Sequence, residues 1–367
     1  MSKLWGKNKV KVDIASYMHY IRGEKKVGKT TLFYELVKHI GKGDTSKGLL
    51  ISVGDEDGYK ALDDLIVAKA ESWDDFIEIV DELINDRKGN DFKFIAIDTV
   101  DELVKIATKE VMDLHKRKNG KKAESLNAAL GGYGAGRAKV KELIGDEVAR
   151  LKSAYGLFCI GHTKIRDITE KGAGEAYQQL TTSLNFDYDS IFADKADIIA
   201  TVSVEKNIVD VEEFELGKGK TKKVGQLGGV TRWIHLRDDG YNVDCGARFG
   251  QIVDKVELSA ANYVEAIEEA IKKASNKSDD ELKTEAELEE KSKIEEVVSK
   301  AKELSEVNSV LNLELVEEIK VKFPNATEEV KVEVKKIMEE YEIINFKPEV
   351  IETVKTEGLE KIVELLK

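Results

Sequence analysis

Residues 23–30, Gly-Glu-Lys-Lys-Val-Gly-Lys-Thr, satisfy every fixed position of G-x-x-x-x-G-K-[ST]. The apolar run at 17–21 reads as a strand before them, and Leu32 to Ile40 continues as an amphipathic helix. Strand, glycine loop and helix in that order are the context that makes the string a phosphate site. Backbone N–H groups along Gly23, Glu24, Lys25, Lys26, Val27 and Gly28, with the positive end of the helix, would wrap a phosphate. Lys29 would reach its outer oxygens as a point charge, the Thr30 hydroxyl would ligate Mg²⁺, and Thr31 closes the loop. Gly28 lets the backbone approach an oxygen where a Cβ would intrude. The competing reading is a plain glycine turn that happens to carry Lys-Thr.

Length and charge set the frame. The 367 residues leave room for about two domains at ~150 residues each. No apolar run approaches ~18 residues and the first residues lack an apolar signal core, so no membrane span is expected and a cytoplasmic location is. Cys159 and Cys245 lack metal-type spacing and read as buried thiols in a reducing compartment. Of the net charge of −13, residues 275–367 hold −10, from 15 Lys against 25 Asp and Glu. The rest is nearly neutral, which leaves room for a local nucleic-acid surface.

Along the chain, apolar strands are expected at 48–53, 92–98, 156–162 and 196–204, with further strands around 207–215 and 229–237. Helical patterns occupy 59–68, 73–86, a segment from Val100, 139–155 and 256–274, and Thr99 can cap the third of these. Strands alternating with helices argue an α/β fold with a mostly parallel central sheet. The stretch 163–193 is polar and poorly periodic. From Ser275 the composition turns to Lys, Glu, Ser, Leu and Val. A charged linker or spacer helix at 275–305 and a small helical module at 306–367, with helices near 311–322, 326–342 and 349–366, then follow a core of 1–274.

Asp98 ends an apolar strand, the place for the second acid of such a site, which holds the Mg²⁺ shell through water. A helix-capping Asp is the bland alternative. Asp101 and Glu102 suit the dipole of the next helix and need no function. Glu56, in Asp55-Glu56-Asp57-Gly58, follows a sheet strand and could polarise a water; an ordinary acidic turn competes with that role.

Four stretches taken together, 22–31, Ile51 to Gly58, Ile95 to Thr99 and Phe158 to Lys164, resemble the RecA-like phage ATPases, short recombinase-core proteins linked to single-strand annealing. The likeness spans about 12–274. It implies a RecA-like P-loop NTPase core with an acidic C-terminal helical module appended, ATP and Mg²⁺ as cofactors, Glu56 as the catalytic acid and His162 as the γ-phosphate sensor. It also implies two loops on single-stranded DNA, within 116–138 and 163–193, and host cytoplasm if the chain is phage-encoded. His162 stands where the bacterial recombinase has a glutamine, and a satisfied strand-end histidine is the alternative.

The first loop has its own chemistry. Lys121, Lys122 and Arg137 flank the glycines around Tyr133, cations and a ring suited to phosphates and base stacking; a solvated charge run is the other reading. Lys218, Lys220, Lys222 and Lys223 read as a solvated hairpin tip. Arg248 is the guess for a cation supplied across a subunit contact. The expected function is a DNA-stimulated ATPase of recombination or annealing, working as a homo-oligomer, with a single-strand-binding or replication partner on the tail. A ring-forming helicase or loader motor and a nucleotide-gated binding protein with little turnover are the competing readings.

Overall fold

The computed structural model describes residues 13–169, 175–215, 221–238, 244–274, 279–341, 343–347, 351 and 354–366. Its strands are β1 (Met18–Gly23), β2 (Gly48–Val53), β3 (Ile66–Ala70), β4 (Phe94–Asp98), β5 (Gly156–Ile168), β6 (Tyr177–Thr182), β7 (Ile198–Glu215), β8 (Thr221–His235), β9 (Gly246–Ala247) and β10 (Lys255–Glu257). The helices are α1 (Lys29–Ile40), α2 (Trp73–Asn85), α3 (Val100–Asn119), α4 (Ala135–Ala154), α5 (Phe186–Ala193), α6 (Ala260–Ala274), α7 (Asp279–Lys322), α8 (Glu328–Glu340) and α9 (Thr356–Leu365).

The main sheet runs β10-β8-β7-β1-β5-β4-β2-β3, with β6 added to β5 and β9 to β7. From β3 through β7 every neighbouring pair is parallel, and β8, β9 and β10 extend one side antiparallel. The fold is α/β, with a mostly parallel central sheet flanked by helices. β1, β2 and β4 are buried along their whole length, as both faces of a parallel sheet require. On one face Ile21, Ala96, Phe158, Ile160 and Ala200 pack with Leu32, Phe33 and Leu36 of α1 and Tyr263 and Ile267 of α6.

Three expectations need correcting. No helix covers 59–68: Gly58–Ala61 is a single 3-10 turn, and β3 follows and pairs parallel with β2. Asp64, at φ 58, breaks the run, and the β-branched pair Ile66-Val67 prefers the sheet edge. The stretch 163–193 carries regular elements. β5 continues to Ile168 and turns into an antiparallel ladder with β6, after which Asn185 caps α5. Residues 170–174 of that expected DNA loop lie outside the described residues, as do 216–220 of the basic segment. Finally, no break separates 305 from 311. α7 is one helix of 44 residues, because neither Gly nor Pro interrupts the chain between 279 and 322, and Pro324 supplies the stop.

The chain divides into two compact units, Met1–Ile294 and Glu295–Lys367. The second has its own core of Val316, Ile319, Val334, Leu359, Ile362 and Val363. Within it the buried Asn312 donates its amide to the carbonyls of Ile351 (3.1 Å) and Val354 (2.9 Å). No described helix is long and apolar enough to cross a membrane.

Candidate active site

The parallel strands set the site by where they stop. β1 ends at Gly23, β4 at Asp98 and β2 at Val53, and their register places His162 of β5 beside Gly23. These carboxyl ends form one edge, the usual place for ligand chemistry in such sheets. Gly28, at φ 111, sits before the first turn of α1, a conformation that only glycine takes cheaply.

Lys29 is buried, and its ammonium donates to the carbonyls of Gly23 and Glu24, both at 2.8 Å. Burial pulls its pKa down to about 8, against the opposing pull of Asp98, Asp101, Glu56 and Glu24. The amine therefore stands among four carboxylates at the mouth of the loop. The Thr30 hydroxyl donates to Asp98 Oδ2 at 2.8 Å, joining the two residues expected to share a metal. Burial raises the Asp98 carboxyl to about 6; the Thr30 hydrogen bond works against that shift, Glu56 adds to it, and Lys29 and His162 oppose it.

The acidic turn closes over this pair. A Cβ at Gly58 would stand 3.2 Å from Thr30 Oγ1 and 3.9 Å from Asp98 Oδ2, so the turn carrying Glu56 lies against them. Glu56 itself is half-buried, and its carbonyl accepts from the Ser52 hydroxyl at 2.7 Å. Among the described residues no three His, Cys, Asp or Glu side chains form a metal cage. A divalent ion would thus rest on Thr30, Asp98 and oxygens of its ligand, the habit of Mg²⁺ on nucleotides. The donor set fits Mg²⁺ with a nucleoside triphosphate.

Asp101 does more than suit a dipole. It accepts the His162 backbone N–H at 2.9 Å, its Oδ2 stands 3.4 Å from His162 Nδ1, and it accepts the Ser183 hydroxyl. Burial disfavours its charge, but the hydrogen bonds from His162 and Ser183 outweigh that and hold its pKa low. His162 is therefore oriented by a carboxylate, and through it tied to the end of β6. Nothing local in the sequence marks Asp101, since its partners lie far along the chain. Arg22 was missed likewise. It is buried next to Gly23 and pairs with Asp244 at 3.0 Å, which also accepts from Thr181 at 2.8 Å. An Arg inside an apolar strand, followed by the glycine loop, was the available signal.

This geometry is that of a P-loop ATPase, and the profile of a family described as AAA domain matches residues 15–234. The chain belongs to the AAA domain family. No curated protein matches it. The matched span of the AAA domain runs from just before β1 into β8 and includes Lys29, Glu56, Asp98 and His162.

The other expected residues lie elsewhere. Lys121, Lys122, Tyr133 and Arg137 are all exposed on or beside the α3–α4 connection. Tyr133 adopts φ 51 among Gly131, Gly132 and Gly134, all of positive φ. Arg248 ion-pairs with Asp197 at 3.3 Å, and Asp197 accepts the Met18 N–H at the opposite end of β1 from the phosphate loop. Cys159 and Cys245 are buried and form no disulfide.

Proposed function

We propose that this AAA-domain protein binds and hydrolyses ATP with Mg²⁺ and acts on single-stranded DNA in recombination or annealing, as a RecA-like oligomer. The observation that carries the ATPase reading is the Thr30–Asp98 hydrogen bond of 2.8 Å beside the buried Lys29. It brings together three groups, from two separate sequence segments, that phosphoryl transfer needs in one place. Mg²⁺, when bound, neutralises charge on the phosphates. Lys29 would exchange its loop carbonyls for phosphate oxygens. Glu56, on the turn over the Thr30–Asp98 pair, would take a proton from water. His162, held by Asp101, would report the outermost phosphate to β6.

The DNA reading rests on the resemblance of the four motif stretches and on the α3–α4 connection. There a fully exposed Tyr133 ring stands on a glycine loop, and Lys121, Lys122 and Arg137 are exposed on or beside the same connection. Such a surface suits stacking and backbone neutralisation. A phosphate-release assay with and without single-stranded DNA tests both halves. Hydrolysis stimulated by DNA is expected. Hydrolysis indifferent to DNA would leave an ATPase of another task, and no hydrolysis would remove the enzyme reading.

A further inference from the structure

We infer that Asp244 is a positioning residue for the phosphate loop: through the buried Arg22 it fixes the end of β1, and with it the seat of Lys29. The inference rests on the triphosphate reading above and deepens it. Asp244 lies beyond residues 15–234, the span that the AAA-domain profile matches. It joins three strands at once. Its carboxylate accepts from Arg22 Nη1 of β1 at 3.0 Å and, on the same oxygen, from the Thr181 hydroxyl of β6 at 2.8 Å. Its carbonyl accepts from Arg22 Nη2, and also from the Thr201 hydroxyl of β7 at 2.8 Å. Its N–H donates to the Leu180 carbonyl, again on β6, at 3.1 Å.

The ion pair is lopsided. The Arg22 side chain is 1% exposed and that of Asp244 40%. The carboxylate already meets water, whereas the guanidinium has none to turn to. Its Nε makes no hydrogen bond among the described residues. Asp189 is a poor substitute for Asp244: its Oδ2 stands 3.9 Å from Nη1, and its Oδ1 already accepts the Tyr20 hydroxyl at 2.8 Å. Removing one partner of such a pair leaves an uncompensated buried charge. Relief comes only if the Arg22 side chain, and the strand end that carries it, moves toward water.

Movement there reaches the site within one residue. Gly23 follows Arg22, and its carbonyl accepts from the Lys29 ammonium at 2.8 Å. Gly23 is packed without slack: a Cβ on it would stand 2.9 Å from the Val202 carbonyl oxygen and 3.0 Å from Val27 Cγ1. A displaced end of β1 therefore displaces both the carbonyl that holds Lys29 and the start of the loop. Misplacement by about 1 Å can cost on the order of 10²-fold at such sites. The loop would hold the phosphates before and during hydrolysis alike, so the loss should fall on binding and KM rather than on kcat.

Titration calorimetry with ATP and with inorganic tripolyphosphate, each with Mg²⁺, tests this on the full chain, alongside steady-state phosphate release. Both are run at a temperature where melting curves show each variant folded. Asp244→Ala should weaken both ligands and raise KM for ATP by about ten- to 100-fold, with kcat changed less. Removing the stranded charge as well, in Arg22→Met combined with Asp244→Ala, should return most of that loss. Asp244→Asn keeps the shape and an acceptor, so it should fold even if Asp244→Ala does not, and it should lose about threefold or more. A structural role alone would lower the melting temperature and leave affinity where it was. Affinity for both ligands within about twofold of the wild type, in a folded Asp244→Ala or in Asp244→Asn where only that variant folds, would overturn the inference. So would a double variant as weak as Asp244→Ala, because the effect would then not run through Arg22. A wild type that binds neither ligand would remove the triphosphate reading itself, and this inference with it.

Discussion

Lys29 carries a charge that burial opposes, and the four carboxylates around it keep it protonated at neutral pH. Replacing it with Ala removes the loop's buried cation, so Lys29→Ala should abolish ATP binding in a direct titration, and retained affinity would remove the central claim. Glu56→Gln keeps the shape of the acidic turn and loses the base. It should bind ATP while hydrolysing it on the order of 10²-fold or more slowly. If that variant turns over normally and Asp101→Asn does not, the base is the wrong carboxylate. A third residue prediction concerns stability. His19 is fully buried between the Tyr263 hydroxyl and the Ile14 carbonyl, each at 2.8 Å. Burial lowers its pKa from 6.5 to about 4. Below pH 6.5 the unfolded chain takes up a proton that the folded chain refuses. The stability this group protects is therefore whole above 6.5 and is lost as pH falls toward 4, on the order of 3 kcal/mol in all. His19→Gln should flatten that part of the curve in denaturant titrations between pH 4 and 6.5.

At the scale of elements, the cationic α3–α4 connection should govern DNA affinity through counterion release. Replacing Lys121, Lys122 and Arg137 by Ala should reduce the slope of log affinity against log salt, by up to about two units at ~0.7 per contact on a single strand. Tyr133→Ala should cost affinity with little change in slope, because stacking carries no charge. Unchanged affinity in both variants would return the loop to a solvated turn. The elements legible in the sequence were those that bury both faces or one clean stripe, since continuous apolar runs announce β1, β2 and β4 and helical spacing announces α1 and α2. β3 was misread because it is a partly exposed edge, whose Ile-Val-Ala-Lys-Ala pattern follows helix-tolerant residues. β6 was missed because Tyr-Gln-Gln-Leu-Thr-Thr has no clean alternation and earns its place only by pairing with the extension of β5. In the site, Lys29 and Thr30 could be read from one contiguous motif. Asp101 could not, because its function is a contact with His162 and Ser183 that only the folded sheet creates.

For the whole molecule, charge and division bear on the same question. The first unit, Met1–Ile294, holds the nucleotide residues and a core that already includes Tyr263 and Ile267 of α6. Residues 275–367 hold −10 of the chain's −13 charges. If the first unit binds single strands as proposed, an acidic tail on the same chain would reach roughly millimolar effective concentration where its tether lets it meet the loop cations, and even weak attraction would then compete with phosphates. Removing residues 275–367 should therefore tighten single-strand binding. The gain should be largest at low salt, where the screening length reaches about 30 Å at 0.01 M, and should shrink toward 1 M, where it is about 3 Å. Thermal melting and ATP titration would establish that the shortened chain is folded and competent. Fluorescence anisotropy on a labelled single strand, run across salt concentrations, would then compare the two. If the shortened chain binds ATP but holds DNA no more tightly at any salt, the tail does not compete for the DNA path. Its acidity would then serve another contact, for which a basic partner surface is the complement.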